Sequence, residues 1–132
     1  MTQTVLVVDD DPIIVETIVQ ALEEDEFDYE VISASDGFEA GLQVNHFAPS
    51  LLILDIMMPK LSGFEMLELM DHQPVIIFST AYDQYALKAF EQNAIDYLLK
   101  PYDQTRFDQA LNKARNKLEE TSHNTEILNL IK

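Results

Sequence analysis

Residues 51–59 read LLILDIMMP, and this stretch decides both the fold and where its chemistry should lie. Four aliphatic residues precede Asp55, and three more apolar residues separate it from Pro59. An ionised carboxylate inside a buried apolar run is costly unless a charged partner faces it. We therefore expect Asp55 at the solvated end of a strand, opposite such a partner.

Apolar runs of this kind recur along the chain at intervals of roughly 21 to 25 residues. They are rich in Val, Ile and Leu, a composition that favours strands over short buried helices. The predicted strands are residues 4–8, 29–33, 51–55, 74–79 and 95–99.

The segments between these runs have helical spacing. One follows Asp11 and Pro12, an N-cap and a first-turn proline, and a second follows Ser62. The clearest apolar stripe begins in the last third of the chain, with Asp103 or Thr105 as its cap. Five strand–helix units predict an α/β fold, a (βα)5 parallel sheet covered by helices on both faces.

Two of the predicted strands carry an acid, Glu30 in the second and Asp96 in the fifth. They are better suited to the sheet edges than the continuously apolar runs. This favours the doubly wound, flavodoxin-like strand order 2-1-3-4-5. Ligands of such sheets bind past the carboxyl ends of strands one and three, at the switch point.

Acidic residues follow both of those strands. Strand one ends at Asp9, Asp10 and Asp11, and strand three ends at Asp55. Asp11 is explained as a helix cap, but three other carboxylates in one crevice cannot all stay ionised unaided. Hard oxygen ligands without His or Cys favour Mg²⁺ or Mn²⁺, so we predict a divalent cation site.

The ends of the remaining two strands add a hydroxyl and an ammonium group. Strand four ends at Thr80 and strand five at Lys100. Either residue alone is explained as a strand end or a surface cation. Together with the acids and a metal they are the groups that surround a phosphoryl group during transfer.

Composition excludes several other classes of protein. The 132 residues are enough for one domain, 47% of them are hydrophobic, and there is no cysteine for disulfides or thiolate chemistry. A net charge of −16 argues against this chain alone binding nucleic acid or an anionic membrane. No apolar run approaches a membrane span, so a cytoplasmic protein is expected.

The motifs VLVVDDDP, LLILDIMMPKLSG and FSTAYDQYALKAFEQNAIDYLLKP resemble the receiver domain of two-component response regulators, over roughly residues 4–118. The resemblance implies a signalling phosphoacceptor rather than an enzyme, with Asp55 accepting a phosphoryl group from the phosphohistidine of a sensor histidine kinase. Mg²⁺ would be bound by Asp10, Asp55 and the backbone carbonyl of Met57, and by Asp9 through a water.

The resemblance also assigns the remaining positions. Thr80 would hydrogen-bond the phosphoryl group, Lys100 would pair with it, and Tyr97 would rotate inward as Thr80 moves. The peptide bond before Pro101 is expected to be cis. Met57 and Tyr82, which border water access to the acyl phosphate in this family, predict slow self-dephosphorylation.

The sequence determines less about how the phosphorylated domain would pass its signal on. The fourth helix, fifth strand and fifth helix would form a partner or homodimer surface, with cross-subunit ion pairs from Lys88, Asp96, Arg106 and Lys113. Residues 81–101 further resemble receivers of LytTR-type regulators, which implies control of transcription through a C-terminal DNA-binding domain not in this chain. A stand-alone receiver acting through protein contacts is the alternative.

The domain division predicted is a receiver domain at 1–118, then a tail or the start of a linker at 119–132. Thr121 to Thr125 is polar and typical of a linker, and Ile127, Leu128 and Ile131 predict a short amphipathic turn.

Other classes remain open at this point. A metal-dependent phosphatase with an aspartyl nucleophile would place a second Asp where Met57 stands. A dinucleotide-binding fold would need a glycine-rich turn in place of Asp9 to Pro12. A degenerate receiver acting without phosphorylation is a third possibility.

Overall fold

Five parallel strands alternate with helices in the computed structural model, which describes residues 3–25, 28–58, 61–71 and 73–131, with the backbone alone for 121–129. The strands are β1 (Gln3–Val8), β2 (Tyr29–Ala34), β3 (Leu51–Leu54), β4 (Val75–Thr80) and β5 (Asp96–Leu99). The helices are α1 (Pro12–Glu23), α2 (Gly37–Phe47), α3 (Gly63–Glu68), α4 (Ala86–Glu91) and α5 (Gln104–Ile131), with one 3₁₀ turn at Asp83–Tyr85. The sheet order is β2-β1-β3-β4-β5, so the predicted fold class and strand order are confirmed.

Helices cover both faces of the sheet, because alternate residues of the central strands point to opposite sides. On one face, Leu6 and Val8 of β1 belong to a core completed by α2, α3 and α4. On the other face, Val5 and Val7 pack in a core completed by α1 and α5. The continuous apolar runs are therefore explained by burial on both faces.

The register of the sheet brings the strand ends to one rim. Val8 of β1 is paired with Leu54 of β3, and Leu54 with Phe78 of β4. Thr80 of β4 is paired with Leu99 of β5. The residue after each of these strands therefore emerges at the same edge, where the sequence predicted the ligand site.

The helix starts follow the predicted capping residues. The Asp11 side chain accepts a hydrogen bond from the Ile13 N–H at the start of α1, with Pro12 in the first turn. Ser62 and Glu65 form a reciprocal capping box at α3. At α5 the Asp103 carboxylate accepts from the Arg106 N–H, so Asp103 caps this helix.

The chain after Leu118 is helical over a longer stretch than the short amphipathic turn predicted at Ile127, Leu128 and Ile131. Helix α5 continues without a break to Ile131. No glycine or proline interrupts residues 119–131, and extending an anchored helix needs no new nucleus, so polar residues of modest propensity suffice. The side chains of Ile127 and Leu128 lie outside the described part of the chain, whereas Ile131 is exposed.

Among the described residues, none of the helices combines the length and the apolar character that crossing a membrane requires.

Candidate functional site

The site begins where β1 and β3 end. The Asp55 N–H donates to the carbonyl oxygen of Val8 at 2.9 Å, and the Asp9 N–H donates to that of Ala34 at 3.2 Å. These bonds extend the sheet by one residue beyond both strands. Asp55 is therefore held in a fixed position just past β3, where the sequence predicted the end of the strand; Pro59 lies outside the described residues.

Three carboxylates converge at this rim. One oxygen from each of Asp9, Asp10 and Asp55 lies within 4.8 Å of the other two. Asp9 and Asp55 are buried, and Asp10 is exposed. The structure thus brings together the three acids that the sequence placed in one crevice.

Lys100 lies between two of these acids. Its Nζ is 2.7 Å from Oδ2 of Asp9 and 3.4 Å from Oδ2 of Asp55. Burial alone would lower the pKa of Lys100, but the hydrogen bonds and charges of the two carboxylates raise it above its ordinary value. Lys100 is therefore a protonated cation that bridges the acidic pair.

One ammonium group does not compensate the buried acids fully. Burial raises the pKa of Asp55 to about 6; Lys100 opposes this rise and the neighbouring charge of Asp9 adds to it. The pocket therefore has surplus negative charge, presented by oxygen ligands at a partly open rim. Hard carboxylate oxygens at this spacing fit Mg²⁺ or Mn²⁺.

The loop after β3 wraps tightly around Asp55. The Met57 N–H donates to Oδ1 of Asp55 at 3.3 Å, and the Gly63 N–H donates to the Ile56 carbonyl at 2.9 Å. A Cβ on Gly63 would lie 2.6 Å from the backbone oxygen of Asp55, so only glycine permits this approach. Met57 is half-exposed beside the pocket.

Thr80 ends β4 next to this pocket and is fully buried. The Lys100 N–H donates to the Thr80 carbonyl at 2.7 Å, which joins the ends of β4 and β5. The Lys100–Pro101 peptide bond is cis, as the resemblance implied.

Tyr97 lies further away, on β5, but is connected to Thr80 through Tyr82. The Tyr82 N–H donates to Oγ1 of Thr80 at 3.4 Å, and the Tyr97 hydroxyl donates to the Tyr82 carbonyl. The ring of Tyr97 also packs against that of Phe78, with 6.4 Å between centroids. A displacement of Thr80 would therefore disturb the contacts of Tyr97.

A hydroxyl pair that sequence reasoning missed lies behind Lys100. Ser79 is buried, and its Oγ lies 2.8 Å from the Tyr102 hydroxyl oxygen. This contact ties the end of β4 to the segment after Pro101. The available signal was a serine inside an apolar strand, since a buried hydroxyl requires a partner.

The groups suggested for cross-subunit ion pairs have contacts within the chain. Arg106 and Lys113 both pair with Asp96, at 2.7 and 3.3 Å. The Nζ of Lys88 lies 4.5 Å from the centroid of the Phe64 ring, a cation–π contact.

Comparisons with known proteins agree with this geometry. The model of the response regulator receiver domain family matches residues 5–112. The transcriptional regulatory protein BtsR of Escherichia coli K12 is 43% identical over 114 residues, which are 84% of this chain and 47% of BtsR. An uncharacterized response regulatory protein of Vibrio parahaemolyticus is 40% identical over 131 residues, 97% of this chain and 53% of that protein. This chain spans about half the length of these curated relatives.

Solved structures are similar over nearly their whole length. The REC domain of AraT, a response regulator from Geobacillus stearothermophilus, superposes with a TM-score of 0.84 at 33% identity and covers 92% of this chain and 99% of its own. The response regulator TrrA of Thermotoga maritima, solved in complex with Mg²⁺ and BeF, has a TM-score of 0.75 at 31% identity, covering 86% and 99%. From the match to the family model and to these relatives, the chain belongs to the response regulator receiver domain family.

Proposed function

We propose that this receiver domain accepts a phosphoryl group on Asp55 from the phosphohistidine of a sensor histidine kinase. The observation that carries the proposal is the convergence of Asp9, Asp10 and Asp55 within 4.8 Å, with Lys100 bridging two of them. A structural ion pair needs no third acid beside it. Two acids bridged by one lysine, with a third acid close to both, form a pocket that can hold a cation and a transferable anion.

In the proposed reaction an Asp55 oxygen attacks phosphorus and forms the new O–P bond. The N–P bond of the phosphohistidine breaks, and its electron pair remains on the imidazole nitrogen. The Lys100 ammonium would pair with an oxygen of the transferred group, and the Thr80 hydroxyl would donate a hydrogen bond to another.

The metal proposed for this pocket is Mg²⁺, with Mn²⁺ as a substitute. Asp10, Asp55 and the Met57 carbonyl would bind it directly, and Asp9 through a water. When bound, it would neutralise charge on the phosphoryl oxygens. The complex of TrrA with Mg²⁺ and BeF supports a metal in the corresponding family site.

The lifetime of the phosphorylated state should be long. Met57 and Tyr82 occupy the positions that border water access to the acyl phosphate in this family, and each is 45% exposed. Neither has a carboxylate or amide that orients a water for attack on the acyl phosphate. We therefore expect slow self-dephosphorylation.

The output is proposed to follow from the chain of contacts Thr80–Tyr82–Tyr97. Thr80 would move toward the phosphoryl group, and Tyr97 would rotate into the space it leaves. The α4–β5–α5 face, which includes Tyr97, would then change its affinity for a partner or a second copy.

For the whole protein, we propose a cytoplasmic response regulator that controls transcription through a C-terminal DNA-binding domain, with residues 1–118 as receiver and 119–132 as the start of the connection. The name of BtsR and the half-length coverage support this. The alternative is a stand-alone receiver that acts through protein contacts.

The test is incubation with Mg²⁺ and acetyl phosphate, followed by intact mass and sizing chromatography. We expect a mass increase of one phosphoryl group that requires Mg²⁺, lasts many minutes after donor removal, and is lost in Asp55→Asn. Asp11→Asn is the matched control, since asparagine also caps a helix and Asp11 is not in the pocket.

Labelling of Asp55→Asn at full stoichiometry would overturn the assignment. Continuous hydrolysis of the donor without a stable adduct would favour a phosphatase, and no adduct in the wild type would favour a receiver that acts without phosphorylation. Lys100→Met and Thr80→Ala should slow labelling strongly while leaving Mg²⁺ binding measurable.

A further inference from the structure

An apolar groove lies between α2 and α3. It encloses about 190 Å³ and is called the α2–α3 groove here. Its walls include Phe38, Gly41, Leu42, Leu61, Met66 and Leu69. None of these residues belongs to the proposed phosphoryl-transfer chemistry.

Three large apolar side chains at this groove are mostly in solvent. Phe38 is 67% exposed, Leu42 is 60% exposed and Leu69 is 66% exposed. Single exposed apolar residues are ordinary, but three that flank one concave surface are typical of an interaction site. The buried Met66 at its base adds a flexible side chain that adapts to different occupants.

Gly41 keeps the groove open. It lies within α2, and a Cβ built on it meets nothing within 4 Å. Glycine inside a helix is unfavourable, and here no close neighbour requires it. Any larger residue at position 41 would point into the groove, so the glycine preserves space that the fold itself does not use.

The groove walls themselves carry no charged residue, and the two helices that form them contain acids but no Lys or Arg. Glu39 lies in α2, and Glu65 and Glu68 lie in α3, while neither helix contains Lys or Arg. The first Lys or Arg of the whole sequence is Lys60, which lies outside the described residues. An occupant with Lys or Arg beside its apolar face would be attracted to this surface.

We propose that the α2–α3 groove binds an amphipathic helix of a protein partner, with aliphatic side chains at i, i+3, i+4 and i+7 and basic residues on its flanks. An α2 of 11 residues is about 16 Å long, room for about three turns of such a helix. The aliphatic side chains pack between Leu42 and Leu69, and the basic residues face the acids of the two helices.

A second copy of this chain is a poorer occupant. A symmetric contact would place the same acidic helices of two chains against each other, each chain with a net charge of −16. Like charges at an interface oppose association.

The test uses a dye-labelled peptide of about four helical turns with leucines on one face and lysines elsewhere, measured by fluorescence anisotropy at about 0.15 M salt. We expect saturable binding to the wild-type protein and about a tenfold higher Kd for both Gly41→Gln and Leu42→Gln. Gly41→Gln should keep or raise the melting temperature, which separates blocking from unfolding. The matched control is Leu87→Gln in α4, where Leu87 is equally apolar and 73% exposed; its Kd should match that of the wild type.

Two control peptides test specificity. One has the same composition but no apolar face, and the other has glutamate in place of lysine. Both should bind at least about tenfold more weakly. Equal loss of binding in the Gly41 and Leu87 variants, or no binding to the wild type, would overturn the proposal. So would dimerisation that Gly41→Gln abolishes, which would assign the groove to a second copy. None of these readouts depends on phosphorylation of Asp55.

Discussion

Asp55, directly after β3, and Asp96, the first residue of β5, both have nearly buried carboxylates, yet the groups around them shift their pKa values in opposite directions. The side chain of Asp55 is 7% exposed and that of Asp96 is 8% exposed. Burial raises the pKa of Asp55 to about 6. Burial acts the same way on Asp96, but its hydrogen bonds from Arg106 and Tyr97 and the nearby charges of Arg106 and Lys113 hold its pKa below the ordinary value.

Beyond burial, the two acids differ in the cations and hydrogen-bond donors around them. Asp96 accepts two hydrogen bonds from the Arg106 guanidinium, at 2.7 and 2.8 Å, and Lys113 is also within ion-pair distance. Asp55 shares one lysine with Asp9, and that lysine is closer to Asp9. An acid with surplus cations around it stabilises the fold, whereas an acid with surplus anions around it is available for a metal or a phosphoryl group.

The largest effect on stability is expected at Asp96. Asp96→Asn leaves the Arg106 guanidinium without its anion and should reduce the free energy of unfolding by about 2 kcal/mol. This is less than for a fully buried pair, because Arg106 is 36% exposed. Urea titration at pH 7 measures the change.

Asp108→Asn is the matched control on α5. Asp108 is exposed and accepts a hydrogen bond from Gln104 at 2.8 Å, so its replacement should change stability by less than about 0.5 kcal/mol. If Asp96→Asn were as mild as this control, the view of Asp96 as a structural acid would be wrong.

Asp55→Asn should change the free energy of unfolding in the opposite direction. Without metal, removing one charge from the acidic pocket should stabilise the protein, by on the order of 1–2 kcal/mol at pH 7 in EDTA. Added Mg²⁺ should stabilise the wild type and leave Asp55→Asn nearly unchanged, since a ligand raises the stability of the form that binds it. A destabilised Asp55→Asn in EDTA would contradict the comparison.

The pH dependence of the two variants should differ as well. The raised pKa of Asp55 contributes stability that is complete below its ordinary value of 3.8 and is lost as the pH rises through about 6. The advantage of Asp55→Asn in EDTA should therefore grow between pH 4 and 7. The lowered pKa of Asp96 contributes stability that is present above 3.8 and is lost as the pH falls through its folded value. The deficit of Asp96→Asn should therefore be constant near neutral pH and shrink only in acid.

The fold was predictable from sequence because burial on two faces leaves a strong signal. The continuous apolar runs of β1 and β3 and the caps Asp11 and Ser62 each agree locally with the strand order observed. Neither an apolar pattern nor a capping residue predicted where α5 ends. Residues 121–125, TSHNT, have only modest helix propensity, and the helix through them depends on propagation from the packed turns before it.

The acidic cluster was also predictable, because parallel strands necessarily bring their carboxyl ends to one rim. The sequence does not show which side chains contact each acid. Glu30 and Asp96 look alike as single acids in apolar runs, yet Glu30 is exposed and Asp96 is enclosed by side chains from α5. Contacts between residues distant in sequence, such as Ser79 with Tyr102, likewise depend on side-chain directions that no local pattern encodes.

The smallest effect is expected from removing the second cation at Asp96. Lys113→Met leaves the two hydrogen bonds from Arg106 in place, and Lys113 itself is 56% exposed, so the free energy of unfolding should fall by less than about 0.5 kcal/mol.

The same substitution at Lys100 removes the bridge between Asp9 and Asp55 and should raise the pKa of Asp55 further. Carboxyl chemical shifts followed by NMR across the pH range measure both acids in one experiment. A rise at Asp96 in Lys113→Met as large as the rise at Asp55 in Lys100→Met would show that the cations around the two acids are equivalent, which the geometry of Arg106 argues against.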